Sequence, residues 1–445
     1  MNLNDQVLLC AARVWFLTYY KSCRLTSKDI SRMKEIAKEV YERLAAAIGP
    51  ADFQLPTFLE KPVYIGDDYV GYLENQQNYI NDFFDKVGEI ARVALANNQS
   101  DLIKILFSQP VGGMDLSFHR ALPDCCWRRP IFYRTDQSIS GKVYEIQSPG
   151  SGWGDLPLLL DVFASRGYAI SPWVINFTHS YAQIIIESTG HNKPKVFHML
   201  DAASAPVGMR FLLASTRPPI RYWGLDRDVS MDAVDFVTAH SSAALTMANY
   251  FSRYLKLAEA GDLVFGLPPN LLYDQKAIYL LPFYRSTRSL FSSKIKDMFP
   301  FTTMVENCGF YDKTDSFVPI DTFDVWRKTS RRRWYLKYGG TDLGRNWGSR
   351  SVWRLDGSDA KKLLRQAAEK AARGEVWLLQ EDVSRDNPDR TSSQGIQYLM
   401  TGKNERKHIK ISAFYGGVRL LGTKVMVRKH FKVHGQFDTA IGIGI

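Results

Sequence analysis

The segment Tyr133–Asp155, YRTDQSISGKVYEIQSPGSGWGD, decides how the chain around it folds. Its second half, VYEIQ, alternates apolar and polar residues, which predicts a strand with Glu145 and Gln147 on one face. If the first half is a paired strand, Arg134 and Asp136 share a face as well. A guanidinium, two carboxylates and an amide then converge, which suits a site for Mg²⁺ and phosphate. A plain hairpin with a surface ion pair is the alternative, because isolated charge pairs carry little information.

Length and composition indicate a folded protein of several parts. The chain has 445 residues, with 45% hydrophobic and 13% aromatic residues. It is too long for one compact core, so two or three domains are expected. Nothing in it resembles a low-complexity or disordered tail.

The cysteines and the N-terminal segment predict a cytoplasmic protein with no membrane partner. The apolar run Val7–Leu17 is too short to span a bilayer and contains Arg13, so we expect a buried helix. A basic n-region and a small-residue cleavage site are missing. The scattered cysteines fit reduced thiols, without a disulfide framework or CxxC metal spacing. They are Cys10, Cys23, Cys125, Cys126 and Cys308.

The formal net charge is +11 and the isoelectric point is near 9.2. This balance favours anionic ligands such as phosphates and permits contact with nucleic acid. The net charge alone does not distinguish between these two kinds of ligand.

The pattern of predicted helices and strands changes twice along the chain. It predicts an α/β (α+β) fold of mixed sheets with flanking helices. Residues 1–114 are expected to form an N-terminal helical region. Residues 115–290 alternate strands and helices, and the longest helix is predicted near Met231–Ala258. Residues 291–445 are rich in strands, with one strong helix at Ala360–Ala372.

A lysine followed by glycines forms a second candidate site. Lys337 ends a predicted strand, and the stretch 338–350 contains Gly339, Gly340, Gly344 and Gly348. Glycines let backbone N–H groups approach an anion closely, and the lysine supplies charge. The spacing matches neither a Walker A loop nor a dinucleotide fingerprint, so an ordinary glycine-rich hairpin remains the alternative.

A third segment is the predicted strand Glu375–Val383, which is apolar and ends in an acidic, amide-bearing part. The edge of such a strand can offer backbone groups to an adenine and a carboxylate to a ribose or a metal. It is equally well explained as a strand that runs into a loop.

Taken in order, these segments resemble the circularly permuted ATP-grasp ligases, the group of glutathionylspermidine synthase and, more distantly, eukaryotic glutathione synthetase. The resemblance covers roughly residues 115–445, and the first hundred residues match no family that we can name. In that family an R-x-D element is followed by an E-x-N element, a D/N-x-K-A segment, a lysine before a glycine-rich loop, and a Q-E/P-x-V strand. These stand here as Arg134-Thr135-Asp136, Glu145-Ile146-Gln147, Asp274-Gln275-Lys276-Ala277, Lys337 with Gly339-Gly340, and Gln380-Glu381-Asp382-Val383.

The resemblance implies an ATP-dependent carboxylate–amine ligase of ATP-grasp-like fold that works through an acyl phosphate. ATP and Mg²⁺ would be its cofactors, and small-molecule or peptide carboxylates and amines its substrates. Arg134 would stabilise the transferring phosphoryl group. Mg²⁺ would be bound by Asp136, Glu145 and Gln147. ATP would be bound by Lys337, Gly339 and Gly340, by either Lys276 or Lys294, and by Gln380, Glu381, Asp382 and Val383 at the adenine.

Two alternatives remain at this level. The family has Asn where this chain has Gln147, and the extra methylene displaces the amide oxygen, so the fold can persist without ligase activity. The basic run Trp326–Trp334, WRKTSRRRW, instead suits a nucleic-acid or polyanion binder, with arginines on phosphates and aromatics stacked on bases. The sequence identifies neither the acid, the amine nor the oligomeric state.

Overall fold

The structure of the protein is a computed structural model. It describes residues 35–48, 57–59, 62–107, 116–147, 153, 155–170, 174, 176–199, 212, 216, 221–223, 234–239, 248–270, 272–330, 332–340, 351–383, 408–428 and 440–444. The run Val7–Leu17, for which a buried helix is predicted, lies outside these residues. No helix within the described part is long and apolar enough to cross a membrane.

Helices and strands alternate along the described chain. The helices are α1 (Glu35–Ile48), α2 (Asp67–Ala96), α3 (Ser100–Phe107), α4 (Leu116–Arg120), α5 (Asp155–Ser165), α6 (Phe177–Thr189), α7 (Ala248–Ala260), α8 (Ser293–Met298), α9 (Phe323–Ser330) and α10 (Ala360–Ala372). Short 3₁₀ segments cover Asp124–Trp127, Leu272–Asp274, Lys276–Leu280, Arg288–Leu290 and Ile320–Thr322.

The strands are β1 (Thr57–Phe58), β2 (Phe132–Gln137), β3 (Val143–Gln147), β4 (Lys195–Met199), β5 (Arg221–Trp223), β6 (Phe236–Ala239), β7 (Val264–Phe265), β8 (Thr302–Met304), β9 (Gly309–Tyr311), β10 (Phe317–Pro319), β11 (Trp334–Tyr338), β12 (Val352–Arg354), β13 (Trp377–Glu381), β14 (His408–Gly416), β15 (Arg419–Arg428) and β16 (Ala440–Gly444). Parallel and antiparallel pairings both occur, so the fold is mixed α/β, as predicted.

The largest sheet joins parts of the chain that are far apart in sequence. Its six strands run in the order β1-β16-β15-β14-β2-β3. They come from all three predicted segments, 1–114, 115–290 and 291–445. This one sheet therefore spans both predicted boundaries. A second sheet of four strands has the order β12-β11-β13-β8, and a third, parallel sheet has the order β5-β4-β6-β7.

Alternation along the strands sends the two faces of the large sheet into different cores. On β14, Ile411, Ala413 and Tyr415 pack into a core with the long helix α2. Phe414, between them, packs into a second core that contains residues of α5 and α6. This is the period of two that a strand imposes on its side chains.

Helix α2 supplies much of the first core. It has 30 residues, and its buried side chains recur at helical spacing, as at Leu73, Ile80, Phe84 and Val87. Its apolar stripe already begins within the first turn, at Tyr69.

The predicted helix Met231–Ala258 is wrong over part of its length. Phe236–Ala239 forms β6, which pairs in parallel with β4 and β7, and the helix begins only at Ala248. Val237 is buried between two strands, where a β-branched residue packs well on the pleated surface. In contrast, α10 lies at Ala360–Ala372, as the sequence predicts, and β14, β15 and β16 lie in the segment 291–445 that is predicted to be rich in strands.

A short 3₁₀ segment, Lys276–Leu280, connects the six-stranded sheet to the sheet that contains β11. The backbone N–H of Ala277 donates to the carbonyl oxygen of Gly339 at 3.1 Å. At the other end, the Tyr279 hydroxyl accepts a hydrogen bond from the N–H of Ile146 on β3. The two sheets are therefore held together beside the predicted Arg134–Gln147 hairpin.

The glycines of α2 provide a test of this packing. A Cβ at Gly88 would lie 2.6 Å from the carbonyl oxygen of Trp127 and 3.0 Å from the hydroxyl of Tyr273. A Cβ at Gly71, on the same helix, would meet no heavy atom within 4 Å. We expect Gly88→Ala to lower the free energy of unfolding by about 1–3 kcal/mol through overpacking. Gly71→Ala should raise it by up to about 1 kcal/mol through helix propensity.

Urea unfolding followed by tryptophan fluorescence measures both variants. Equal effects of the two substitutions would contradict the packing of α2 against Trp127 and Tyr273.

Candidate functional site

The predicted hairpin is present, and its register brings the four predicted side chains to one face. Strands β2 and β3 pair antiparallel, with Arg134 opposite Gln147 and Asp136 opposite Glu145. Residues directly opposite one another in an antiparallel pair point to the same side of the sheet. A register shift follows between Asp136 and Gln137, at the end of the pair.

Asp136 is the centre of a buried ion network. Its side chain has no solvent exposure. Arg134 approaches both carboxylate oxygens, with Nε 3.0 Å from Oδ1 and Nη2 3.2 Å from Oδ2. Lys410 Nζ donates to Oδ2 and Ser412 Oγ to Oδ1, each at 2.7 Å. Burial alone would raise the pKa of Asp136, but the charges of Arg134 and Lys410 hold that pKa well below its usual value.

Sequence reasoning missed Lys410, Ser412 and Lys424. Ser412 pairs with Asp136 on one side and with Lys424 on the other, so a polar row crosses four neighbouring strands. The sequence does contain a signal for two of them, an alternation of apolar and polar residues. Lys410 and Ser412 occupy every second position of the otherwise apolar segment Ile409–Phe414. Nothing in that alternation identifies Asp136 as their partner.

Lys276, and not Lys294, joins this group. Lys276 is 7% exposed, and its Nζ lies 3.1 Å from Glu145 Oε1. Lys294 is exposed on α8. Burial opposes ionisation of Glu145, yet the nearby charges of Lys276, Lys337 and Lys410 lower its pKa. The geometry therefore favours Lys276 of the two lysines that the sequence left open.

Lys337 lies on β11 in the second sheet and faces the same group. Its Nζ donates to Gln380 Oε1, and Gln380 Nε2 donates in turn to Thr302 Oγ1 at 3.0 Å. The ammonium also lies 5.7 Å from the centre of the Tyr144 ring. Burial, opposed by the negative charge of Glu145 and assisted by the positive charge of Lys276, lowers the pKa of Lys337 to about 8.

We call the following residues the charge cluster, since each contacts or is electrostatically coupled to another member. They are Arg134, Asp136, Glu145, Gln147, Lys276, Lys337, Gln380, Lys410 and Ser412. They come from both sheets and from the 3₁₀ segment between them.

Gly339 is required by close packing at the end of β11. A Cβ there would lie 2.8 Å from Val376 Cγ1 and 3.3 Å from the Val376 carbonyl oxygen. Its N–H donates to that same carbonyl oxygen at 2.9 Å. Gly340 is buried beside it, and the rest of the predicted glycine-rich loop, 341–350, lies outside the described residues.

The predicted adenine segment divides between the two faces of β13. Gln380 points to Lys337, whereas the Glu381 carboxylate contacts Lys313 at 2.8 Å and Arg332 at 3.0 Å on the other face. There Glu381 lines a separate cavity of about 390 Å³, which Val383 also borders. The N–H groups of Glu381 and Asp382 are used within the fold, donating to the carbonyl oxygens of Phe301 and Arg333. The adenine roles of Gln380, Glu381, Asp382 and Val383 remain predictions.

The basic run 326–334 does not present its tryptophans as a stacking surface. The rings of Trp326 and Trp334 lie 4.8 Å apart, and Trp326 also packs edge-on to Phe310 at 4.9 Å. Trp334 is 2% exposed. The aromatic part of the nucleic-acid interpretation is therefore not supported by this geometry.

The predicted Mg²⁺ ligands come together, but their oxygens already face cationic donors. Asp136 contacts Arg134 and Lys410, the Gln147 amide oxygen accepts from Arg134, and Glu145 contacts Lys276. Among the described residues, no group of three or more His, Cys, Asp or Glu side chains has the arrangement to hold a metal. As arranged, this donor set does not fit a Mg²⁺ site, because cations in contact with the ligand oxygens repel the metal.

Comparison with known proteins yields likenesses among solved structures. No protein-family model and no curated protein matches the chain. Among solved structures, it is similar to a glutathione synthetase-like effector from Globodera pallida in its apo form, at 11% sequence identity and a TM-score of 0.48. The match covers 92% of this chain and 95% of that chain. A likeness at this identity and TM-score indicates neither a ligand nor an activity.

Removal of the Asp136 charge tests the buried network. Asp136→Asn leaves Arg134 and Lys410 facing one another without a counter-charge, so we expect a loss of about 3–5 kcal/mol in the free energy of unfolding. A carboxyl with a lowered folded pKa stabilises fully above its unfolded pKa of about 3.9 and loses that contribution as pH falls below it. The variant should therefore lose part of the wild-type acid dependence between about pH 5 and pH 2.

Chemical unfolding at several pH values measures both effects. Asp321→Asn is the control, because Asp321 pairs with Arg365 at 2.7 Å but the two side chains are 77% and 61% exposed. If the two Asn variants behave alike, Asp136 is not the anchor of the sheet.

Proposed function

We propose that this protein is an ATP-dependent ligase that joins a carboxylate to an amine through an acyl phosphate. The observation that carries the proposal is the charge cluster. Lys276 and Lys337 lie near Glu145, and Arg134 contacts Asp136, the residue opposite Glu145, although these cations lie far apart in sequence. Buried ionisable groups with shifted pKa values occur at functional sites more often than expected by chance, because burying a charge costs stability.

Three buried cations in one place suit a triphosphate. In phosphoryl transfer the protein performs little covalent chemistry, and it acts by positioning the groups and neutralising their charge. Arg134 has a planar guanidinium that can contact two phosphoryl oxygens at once. Lys276 and Lys337 approach from the 3₁₀ segment and from β11, so the three charges surround the cluster from different elements.

The proposed reaction has two steps. An oxygen of the substrate carboxylate attacks the γ-phosphorus of ATP, the bond to the β,γ-bridging oxygen breaks, and ADP leaves with that electron pair. The amine nitrogen then attacks the acyl carbon, and phosphate leaves as the amide forms and the nitrogen loses a proton. Arg134, Lys276 and Lys337 would neutralise the charge on the phosphoryl oxygens in the first step.

Gln380 and Asp136 would act as positioning residues. Gln380 is 2% exposed and fixes the Lys337 ammonium through its amide oxygen. Asp136 fixes the Arg134 guanidinium through both of its oxygens. Neither arrangement needs solvent, so both cations are held in place before a ligand arrives.

The ligase activity is tested by the release of phosphate from ATP over pools of amino acids, short peptides and polyamines. We expect release that depends on a carboxylate and an amine together, and hydroxylamine should trap the acyl phosphate as a hydroxamate. Lys276→Met should lower kcat/KM by about 10²-fold, because a phosphate contact is lost in a buried site. Lys294→Met removes the same charge from exposed α8 and should leave kcat/KM within about twofold.

Equal losses in the two lysine variants would refute the assignment of Lys276. Failure to form ADP with any pair of substrates would refute the ligase proposal. Salt-dependent retention on nucleic acid without ATP binding would favour a polyanion binder instead.

The lowered pKa of Lys337 predicts a pH dependence of ATP binding. Only the protonated lysine attracts phosphate, and its pKa of about 8 in the free protein lies far below that of an ordinary lysine. The affinity for ATP should therefore fall as pH rises through 8, by at most about tenfold per pH unit, and binding should take up protons there. The phosphates of ATP are already ionised in this range.

Calorimetric titrations at pH 7, 8 and 9 in buffers of different ionisation enthalpy measure the affinity and the proton uptake. Lys337→Met should bind more weakly at pH 7 and should lose the proton uptake near pH 8. A variant that keeps the wild-type pH profile would show that another group titrates.

A further inference from the structure

The positive charge around Asp136 exceeds what its own carboxylate can balance. Among the described residues, cationic side chains at or beside the charge cluster outnumber carboxylates. The cations are Arg134, Lys276, Lys337, Lys410 and Lys424, and the carboxylates are Asp136, Glu145 and Asp382. An excess of buried positive charge is costly unless an anion completes it.

The acceptor capacity of Asp136 is already used. An ionised carboxylate has about four lone-pair positions on its two oxygens. Three donors make hydrogen bonds to them, Arg134 Nη2, Lys410 Nζ and Ser412 Oγ, and Arg134 Nε lies 3.0 Å from Oδ1 as an ion-pair contact. A Mg²⁺ ion at about 2.1 Å from an Asp136 oxygen would have to displace at least one of these donors.

The donors cannot move away easily. Lys410 and Arg134 have side chains that are each 5% exposed, and Asp136 itself is fully buried. Lys410 is on β14, which pairs with β2 over the whole length of β2, so strand pairing holds its backbone beside Asp136. Expelling either cation from the carboxylate would leave a buried charge unpaired, at a cost of several kcal/mol.

Lys410 and Arg134 already supply positive charge to the Asp136 carboxylate, as a metal would. Ser412 fixes the other oxygen, and the next residue across the sheet is Lys424. Arg134 and Lys424 each lie 5.9 Å from the centre of the same Phe414 ring, measured from Cζ and from Nζ. Three cations of the protein, each at most 5% exposed, therefore lie within one small area over β2, β14 and β15.

We infer that Asp136 is a counter-ion that positions Arg134 and Lys410, and that these two cations bind the phosphates of ATP at this site without Mg²⁺. The inference rests on the proposed binding of ATP and adds to it that the positive charge comes from the protein. Lys410 becomes a binding residue, and Asp136 and Ser412 become its positioning residues.

The inference makes the affinity for ATP independent of metal. Calorimetric titration of ATP into the full-length protein is carried out in excess EDTA and again in excess Mg²⁺. We expect the dissociation constant in EDTA to lie within about threefold of that in Mg²⁺, with adenosine showing no binding in either. Manganese, followed by its electron paramagnetic resonance signal, should show no site on the protein in the absence of nucleotide.

Three variants test whether Lys410 binds the phosphates. Lys410→Met should weaken ATP binding in EDTA by about tenfold or more, because a buried charge–phosphate contact is lost. Lys361→Met is the matched control on α10, where the lysine pairs with Asp324 and is 35% exposed, and it should change the affinity by less than about twofold. If Lys410→Met does not fold, Lys410→Arg replaces it in the test. This variant keeps the charge and should retain part of the binding.

The outcomes separate the two proposals. Binding that vanishes in EDTA and returns with Mg²⁺, or a manganese site that Asp136→Asn abolishes, overturns the metal-free inference and leaves the proposed function in place. Binding in EDTA that Lys410→Met leaves unchanged, in a variant that retains the wild-type Tm, overturns the role of Lys410. Absence of ATP binding under both conditions overturns the inference and the proposed function together.

Discussion

The carboxylate of Asp136 is the interaction on which the rest of the site depends. It joins Arg134, two residues away on the same strand, to Lys410, which is 274 residues away in the chain. A buried ion pair of this kind tolerates no missing partner, because the remaining charge would be left unpaired in a medium that solvates it poorly. The register of β2 against β14 is therefore coupled to the chemistry of the site, and the two cations are fixed without help from solvent.

The second constraint is the contact between the two sheets. The 3₁₀ segment that begins at Lys276 hydrogen-bonds to Gly339 after β11 and to Ile146 on β3. The carbonyl oxygen of Gly339 accepts the N–H of Ala277, and this close approach of the segment sets Lys276 against Glu145. The same approach buries Lys337, and the lowered pKa of that lysine is the electrostatic consequence. Burial of these cations lowers the stability of the fold, but it positions their charge before a ligand binds. This is the usual condition of a binding or catalytic site.

Much of the local structure follows from the sequence, and the long-range pairing does not. The alternation around Glu145 predicts the hairpin and its shared face, and the composition of Ala360–Ala372 predicts α10. The segment that begins at Met231 misleads, because its helical pattern gives way to β6, a strand that only the parallel sheet stabilises. Lys410 and Ser412 were visible as polar positions in an apolar strand, but their partner lies in another part of the chain, beyond the reach of any local pattern.

The sequence by itself determined which side chains share a face, because a strand repeats every two residues and a helix about every 3.6 residues along a contiguous segment. It thereby placed Arg134 with Asp136 and Glu145 with Gln147. Only the tertiary structure decided what those side chains contact. The sequence predicts that the carboxylate of Asp136 is a metal ligand, whereas in the structure it contacts Lys410 and Arg134. The physical reason is that strand period is a local property, whereas a charge pair depends on the register of strands that meet only when the chain has folded.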